Sequence, residues 1–239
     1  MTLPTQTGTL YLIPVPLAAG PVDASLPPHT LDITRRLNTF VVEHSKTARA
    51  WLKAMGHPGP MQAVTMLELS EHTPAKELPN LLAPLLAGED LGLMSEAGCP
   101  GVADPGSALV ALAHQKGVEV IPLVGPSSLL LALMGSGLNG QQFAFNGYLP
   151  VAAEERGKAI KHLEQLAQKG QTQLFIETPY RGAALFKALL ETLTPGTRLT
   201  LAIELTGPGQ MLKTFTVSAW KKQPPPDLDK RPAVFLIGV

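Results

Sequence analysis

The chain has 239 residues, 45% hydrophobic and 16% charged, which excludes a disordered polymer and supplies enough apolar surface for one large domain or two small ones. Basic and acidic side chains balance at 19 each, which argues against strong non-specific binding of nucleic acid through bulk positive charge. The single cysteine, Cys99, excludes an intrachain disulfide and a cysteine-based zinc site and suits a reducing cytoplasm, and no apolar run approaches the roughly 20 residues that span a bilayer.

No lysine or arginine precedes the first apolar run, so no secretory leader is expected. Thr9 to Val15 reads as a strand, followed by a Pro/Gly loop to Pro28 and a short helix from His29 to Leu37. Thr39 to Glu43 is a strand. Ser45 to Met55 is a helix with Ala48, Leu52 and Met55 on one face. Ala63 to Leu67 is a short strand, Leu78 to Leu86 is helical despite Pro79 and Pro84, and Asp90 to Ser95 is a strand. A helix is predicted from Pro105 to Lys116, with Asp104 as its N-cap and Pro105 at its first position. Val118 to Leu123 is a strand, and Ser127 to Met134 a helix whose run from Leu129 is expected to be buried.

Phe143 to Pro150 reads as a strand and turn at a domain junction. Ala153 to Lys169 is an amphipathic helix, Gln173 to Glu177 a strand, Arg181 to Leu193 a helix and Arg198 to Leu205 a strand. Met211 to Val217 alternates in part, which suggests antiparallel pairing, and Ala233 to Val239 is a buried strand. The expected fold class is α/β. A mostly parallel, doubly wound N-terminal domain occupies 1–142, a junction 143–150, and a C-terminal α/β domain with a mixed sheet 151–239.

Two strand-to-helix loops carry the strongest chemical signal. Ser95-Glu96-Ala97-Gly98-Cys99-Pro100-Gly101-Val102-Ala103-Asp104-Pro105-Gly106 combines small residues with free backbone N–H groups, and Val124-Gly125-Pro126-Ser127-Ser128 follows another strand. Ligands in doubly wound sheets bind at such strand ends. The first such loop, Pro14 to Gly20, lacks a phosphate signature. Gly135-Ser136-Gly137-Leu138-Asn139-Gly140 matches a dinucleotide fingerprint in letters only, because it follows a helix and precedes a strand. The six histidines lack metal-ligand spacing, so no metal site is expected. The basic clusters Arg35–Arg36, Lys46 with Arg49 and Lys53, and Lys221–Lys222 read as solvated faces.

Taken in order, LYLIPVP, VVEHSKTAR, SEAGCPGVADPG, GPSSLLLAL, FNGYLP, LFIETPYR and PAVFLIGV resemble the tetrapyrrole methylase superfamily, most closely its branch of small-subunit ribosomal RNA cytidine 2′-O-methyltransferases. The resemblance implies two α/β domains, S-adenosylmethionine as cofactor, a cytoplasmic location and a homodimer without membrane attachment. It implies cofactor contacts at Pro16, at Ser95, Glu96, Ala97, Gly98, Cys99 and Val102, at Ser127 and Ser128, and at Glu177, Thr178 and Ala233. Glu43 falls where some porphyrinogen methylases place a catalytic carboxylate. A ribose hydroxyl is a weak nucleophile and benefits from a base, for which Glu43, Glu96 and Glu177 are candidates, with Lys46 or Arg181 stabilising charge. The acceptor stays open between RNA, the leading expectation, and a small molecule such as a tetrapyrrole. A non-catalytic relative that binds the cofactor or a partner is the third reading.

Overall fold

The computed structural model describes residues 7–239, and its backbone contacts divide the chain into two compact units, Met1–Ser127 and Ser128–Val239.

The first unit holds strands β1 (Thr9–Ile13), β2 (Thr39–Val42), β3 (Thr65–Glu68), β4 (Leu91–Met94) and β5 (Glu119–Pro122). They form one parallel sheet in the order β3-β2-β4-β1-β5. The chain leaves β1 toward one edge through β2 and β3, returns at β4, and then crosses to the other side at β5. The switch point therefore lies between β1 and β4, where doubly wound sheets open a crevice at the strand C-termini. Helices α1 (Pro28–Arg36) and α2 (Ser45–Ala54) share a core with Ile13, Phe40, Val42 and Met94 on one face. On the other face α3 (Leu78–Leu81), α4 (Ala83–Leu86) and α5 (Ser107–Gln115) pack with Leu10, Val41, Leu91 and Leu93. Strands covered on both sides explain the unbroken apolar runs. Gly92 has no side chain because a Cβ there would lie 2.6 Å from Ile13 and 2.7 Å from Phe40.

Two expectations for this half change. Helix α5 begins at Ser107 with Gly106 as its N-cap, so Asp104 does not cap it and Pro105 lies outside it. Gly106 takes φ 136°, a backbone state open to glycine, and the Asp-Pro-Gly triplet forms a turn before the helix starts. The Leu78 to Leu86 segment is also two short helices rather than one.

The second unit contains α6 (Ser128–Ser136), β6 (Phe143–Tyr148), α7 (Ala153–Gln168), β7 (Thr172–Glu177), α8 (Gly182–Thr192), β8 (Arg198–Ile203), β9 (Met211–Thr216), α9 (Val217–Trp220) and β10 (Ala233–Gly238). The sheet order is β6-β7-β10-β8-β9, with β6 parallel to β7 and the remaining pairs antiparallel. Phe175 and Phe235 stack across β7 and β10 with centroids 5.9 Å apart. Trp220 packs edge-on to Phe186 and Phe215 and donates its indole N–H to Leu199 O at 2.8 Å. Buried Glu164 accepts from Thr194 N at 2.8 Å, from Thr194 Oγ1 at 2.9 Å and from the Thr197 hydroxyl, tying α7 to the turn before β8.

The contacts put the unit boundary before α6, whereas the sequence reading set it after residue 142. Helix α6 packs on β8, β9 and β10, and Gly135 is needed there because a Cβ would stand 2.5 Å from Leu212. The helix is also not buried all round, since Leu130 is 52% and Met134 78% exposed. The segment 143–150 is a strand and turn, as read from the sequence, and the strand is an edge strand of the second sheet.

Candidate active site at the strand ends

In the first unit the loops after β1, β4 and β5 are bonded to one another. Val15 N donates to Gly98 O at 2.9 Å and Gly98 N to Val15 O at 3.0 Å, an isolated antiparallel bridge between the first and second loops. The Cys99 thiol donates to Pro126 O at 3.4 Å, joining the second loop to the third. Trp51 on α2 donates its indole N–H to Glu96 O at 3.3 Å. Ser95 Oγ donates to Gly98 O at 3.1 Å, closing the start of the loop on itself.

Glycines give this rim its path. Gly98 and Gly101 have φ of 76° and 77°, and Ala103 takes 62°, a left-handed state that is costly for a residue with a Cβ. A Cβ on Gly98 would come within 3.2 Å of Leu17, while one on Gly101 would meet nothing closer than 3.9 Å. Ala97 and Val102 are exposed, Cys99 half-buried, and Gly98 and Pro16 buried. Ser127 closes the first unit and Ser128 opens α6, both half-buried.

Carboxylates gather on the same rim. Glu43 follows β2, and burial raises its pKa, with Glu96 and Glu71 adding to the shift and His44 opposing it. Asp104 is pushed up to about 6, first by burial and then by the charge of Glu43; a Ser95 hydrogen bond opposes this and Glu96 adds to it. Burial also raises the Cys99 thiol, with Asp104 adding to the effect. Among the described residues no ion pair engages Glu43, Glu96 or Asp104, and no group of three potential ligands is arranged to hold a metal ion. Lys46 stands exposed on the first turn of α2, three residues after Glu43 in the chain. Its neighbour Ser45 donates through N at 3.3 Å and Oγ at 2.6 Å to Glu68 Oε1, which lowers the Glu68 pKa.

In the second unit Glu177 ends β7 and Ala233 begins β10 opposite it. Glu177 Oε1 accepts from Thr178 N at 2.7 Å and from Arg181 Nε at 3.0 Å and Nη2 at 2.7 Å. Arg181 is thereby held on a buried carboxylate, which occupies the charge that sequence reasoning had offered to a reaction. Beside this edge Glu204 follows β8 and pairs with Arg231 at 3.0 Å; that hydrogen bond raises the Arg231 pKa. Glu204, Thr206 and Lys230 all take positive φ here (45°, 69° and 54°). Sequence reading missed Glu204, Arg231 and Trp51, which no motif marks, and it read Asp104 as a cap although Asp-Pro-Gly is equally a turn signal.

No family model matches the chain. Curated relatives do. A protein of Vibrio cholerae named ribosomal RNA small subunit methyltransferase I is 31% identical over 210 residues, 86% of this chain and 67% of that one. A Xylella fastidiosa protein of the same name is 30% identical over 232 residues, covering 97% of this chain and 81% of its own length. The chain belongs to the ribosomal RNA small subunit methyltransferase I family. Like the relatives from which that name comes, this family member is a methyltransferase. Another relative, from Mesorhizobium japonicum, is 38% identical over 149 residues, 62% of this chain and 50% of its own. The fold agrees with solved structures. The methyltransferase CobJ aligns over 97% of this chain and 94% of its own with TM-score 0.65 at 19% identity. A uroporphyrin-III-C-methyltransferase from Thermus thermophilus aligns over 97% and 92% with TM-score 0.55 at 18%. The family member therefore has the tetrapyrrole methylase fold.

Proposed function

We propose that this chain transfers a methyl group from S-adenosylmethionine to a ribose 2′-hydroxyl of small-subunit ribosomal RNA. The observation that carries the reading is the bonded rim of glycine-rich loops in a chain whose curated relatives are named ribosomal RNA small subunit methyltransferases. The rim suits the cofactor. Its open backbone at Gly101 admits a ligand closely, and its unpaired carboxylates complement a cofactor that carries a sulfonium and an ammonium.

When bound, the cofactor supplies an electrophilic methyl group, so the protein's own work is positioning, exclusion of water and handling of one proton. The backbone of Ala97, Gly98, Cys99 and Val102, with Ser95 and Glu96, forms the wall that would hold it. Pro16 would line the first loop and Ser127 and Ser128 the third. Within the second unit we assign Glu177, Thr178 and Ala233 to cofactor contact as the resemblance implies, with Arg181 holding Glu177 rather than acting on the acceptor. A rim carboxylate takes the proton, and Lys46 meets a phosphate of the RNA. Among the described residues no helix is long and apolar enough to cross a membrane. From the family resemblance we place the enzyme in the cytoplasm as a homodimer.

Incubation with labelled methyl donor and small ribosomal subunits, bulk small metabolites, or no acceptor tests the reading. Label in RNA that leaves a methylated ribose after nuclease digestion is expected. Label only in a small product overturns the acceptor, and no label with any acceptor overturns the transfer.

A further inference from the structure

The pair Arg35–Arg36 ends α1, and the fold gives its two side chains different work. Arg35 is engaged by the protein itself: Nε donates to Met55 O at 2.7 Å and Nη1 to Asp32 Oδ1 at 3.2 Å. Arg36 is exposed and makes no hydrogen bond or ion pair among the described residues. It lines a cavity of about 300 Å³ at the N-terminal ends of β1, β2 and β4, the end of the first sheet opposite the glycine rim. Buried Ile33 and Leu37 and half-buried Tyr11 give the cavity an apolar floor. Arg36 and the side-chain amide of Asn38, which has no partner among the described residues, supply donors. Glu89 and Asp90 supply acceptors, and each is anchored by one oxygen only: Glu89 Oε1 accepts from the Thr39 hydroxyl and Asp90 Oδ1 from Thr9 N at 2.8 Å. Their second oxygens accept nothing from the described residues, and neither carboxylate forms an ion pair with Arg36.

We propose that this cavity is a second binding site, separate from the rim, which takes one unpaired guanine base. The cavity is at the small end of ligand pockets, with room for a single base over an apolar floor. Its polar walls call for a ligand that offers acceptors to an arginine and, on the adjoining edge, donors to carboxylates. Guanine alone among the four bases does both: O6 and N7 accept from an arginine fork, while N1–H and the N2 amino group donate. Adenine carries an amino group in place of O6, which would meet Arg36 donor to donor. Cytosine and uracil lack the N7 edge. A base in a duplex has its N1 and N2 groups occupied, so the guanine comes from a free nucleotide or from a single-stranded stretch of RNA. The site does not rest on the methyl-transfer reading, because it uses none of the residues assigned to the cofactor.

Calorimetric titration of the full chain is the test, with S-adenosylhomocysteine in excess so that the rim is closed to adenine. One set of ligands is the four nucleoside 5′-monophosphates; the other is a single-stranded RNA hexamer of adenosines with or without one central guanosine. Guanine is expected to bind about tenfold or more tightly than any other base in at least one set. Equal affinity for the guanosine monophosphate and the guanosine-bearing hexamer identifies a free nucleotide as the ligand, and a tighter hexamer identifies RNA; either outcome supports the site. Arg36→Ala, which removes no contact within the fold, is expected to weaken guanine binding about tenfold while the Tm stays at the wild-type value. Glu89→Gln keeps a carbonyl for the Thr39 hydroxyl but turns an amino group toward the ligand, and is expected to reduce the preference for guanine over adenine to less than about threefold. No base preference in either set, or a preference that survives both substitutions, overturns the site. Loss of methyl transfer in the wild type, with guanine preference intact, removes only the methyl-transfer reading.

Discussion

At the scale of single residues, the rim depends on backbone states that most side chains resist. Gly98→Ala is expected to lose about 1–2 kcal/mol of stability, because φ 76° is a left-handed state and the new Cβ would crowd Leu17. Thermal unfolding reads the loss, and calorimetry should show weaker cofactor binding in the folded variant; unchanged binding would remove Gly98 from the wall. Asp104 carries the opposite signature. Its folded pKa of about 6 lies above the 3.8 of an ordinary aspartate, so the folded chain binds the extra proton between those values. Its contribution to stability is full below pH 3.8 and lost as pH rises through about 6. Asp104→Asn should therefore gain Tm relative to wild type as pH goes from 4 to 7, and a difference that stays constant with pH contradicts the strained ionisation. The glycine loop was legible in the sequence because strand ends and helix starts attract ligands. The carboxylate cluster was not, since Glu43 and Asp104 lie 61 positions apart and only the sheet brings them together.

At the scale of elements, local pattern served best where an element's faces differ. Helix α2 and strand β9 were legible because one shows helical spacing and the other partial alternation, and β9 does pair antiparallel with β8. Helix α6 was misread because a run of leucines has no polar side to declare which sheet it will cover. Polar anchors such as Glu164 are equally silent in sequence, as an acidic residue on an amphipathic helix normally faces water. Its acceptor role gives a specific expectation. Glu164→Ala should destabilise the second unit by about 1–3 kcal/mol, since the Thr194 N–H and two hydroxyls would lose their partner. Chemical denaturation read by Trp220 fluorescence checks this, and a midpoint equal to wild type would show that water replaces the carboxylate without loss.

For the molecule as a whole, composition and alternation of elements gave the class of fold, and motif order gave the family. Strand order was out of reach. Which strands become neighbours is decided by packing between distant segments, and neither β4 lying between β2 and β1 nor β10 lying between β7 and β8 leaves a local mark. That last placement has a consequence for how the chain is made. The middle strand of the second sheet, Ala233–Gly238, is the last of its strands to be synthesised. Until it leaves the ribosome, β7 and β8 have unsatisfied edges on the sides that will face it, and the stacked partner of Phe175 does not yet exist. The nascent second unit thus passes through a stage with two open apolar edges, and a chain halted before Ala233 offers them to any other strand nearby.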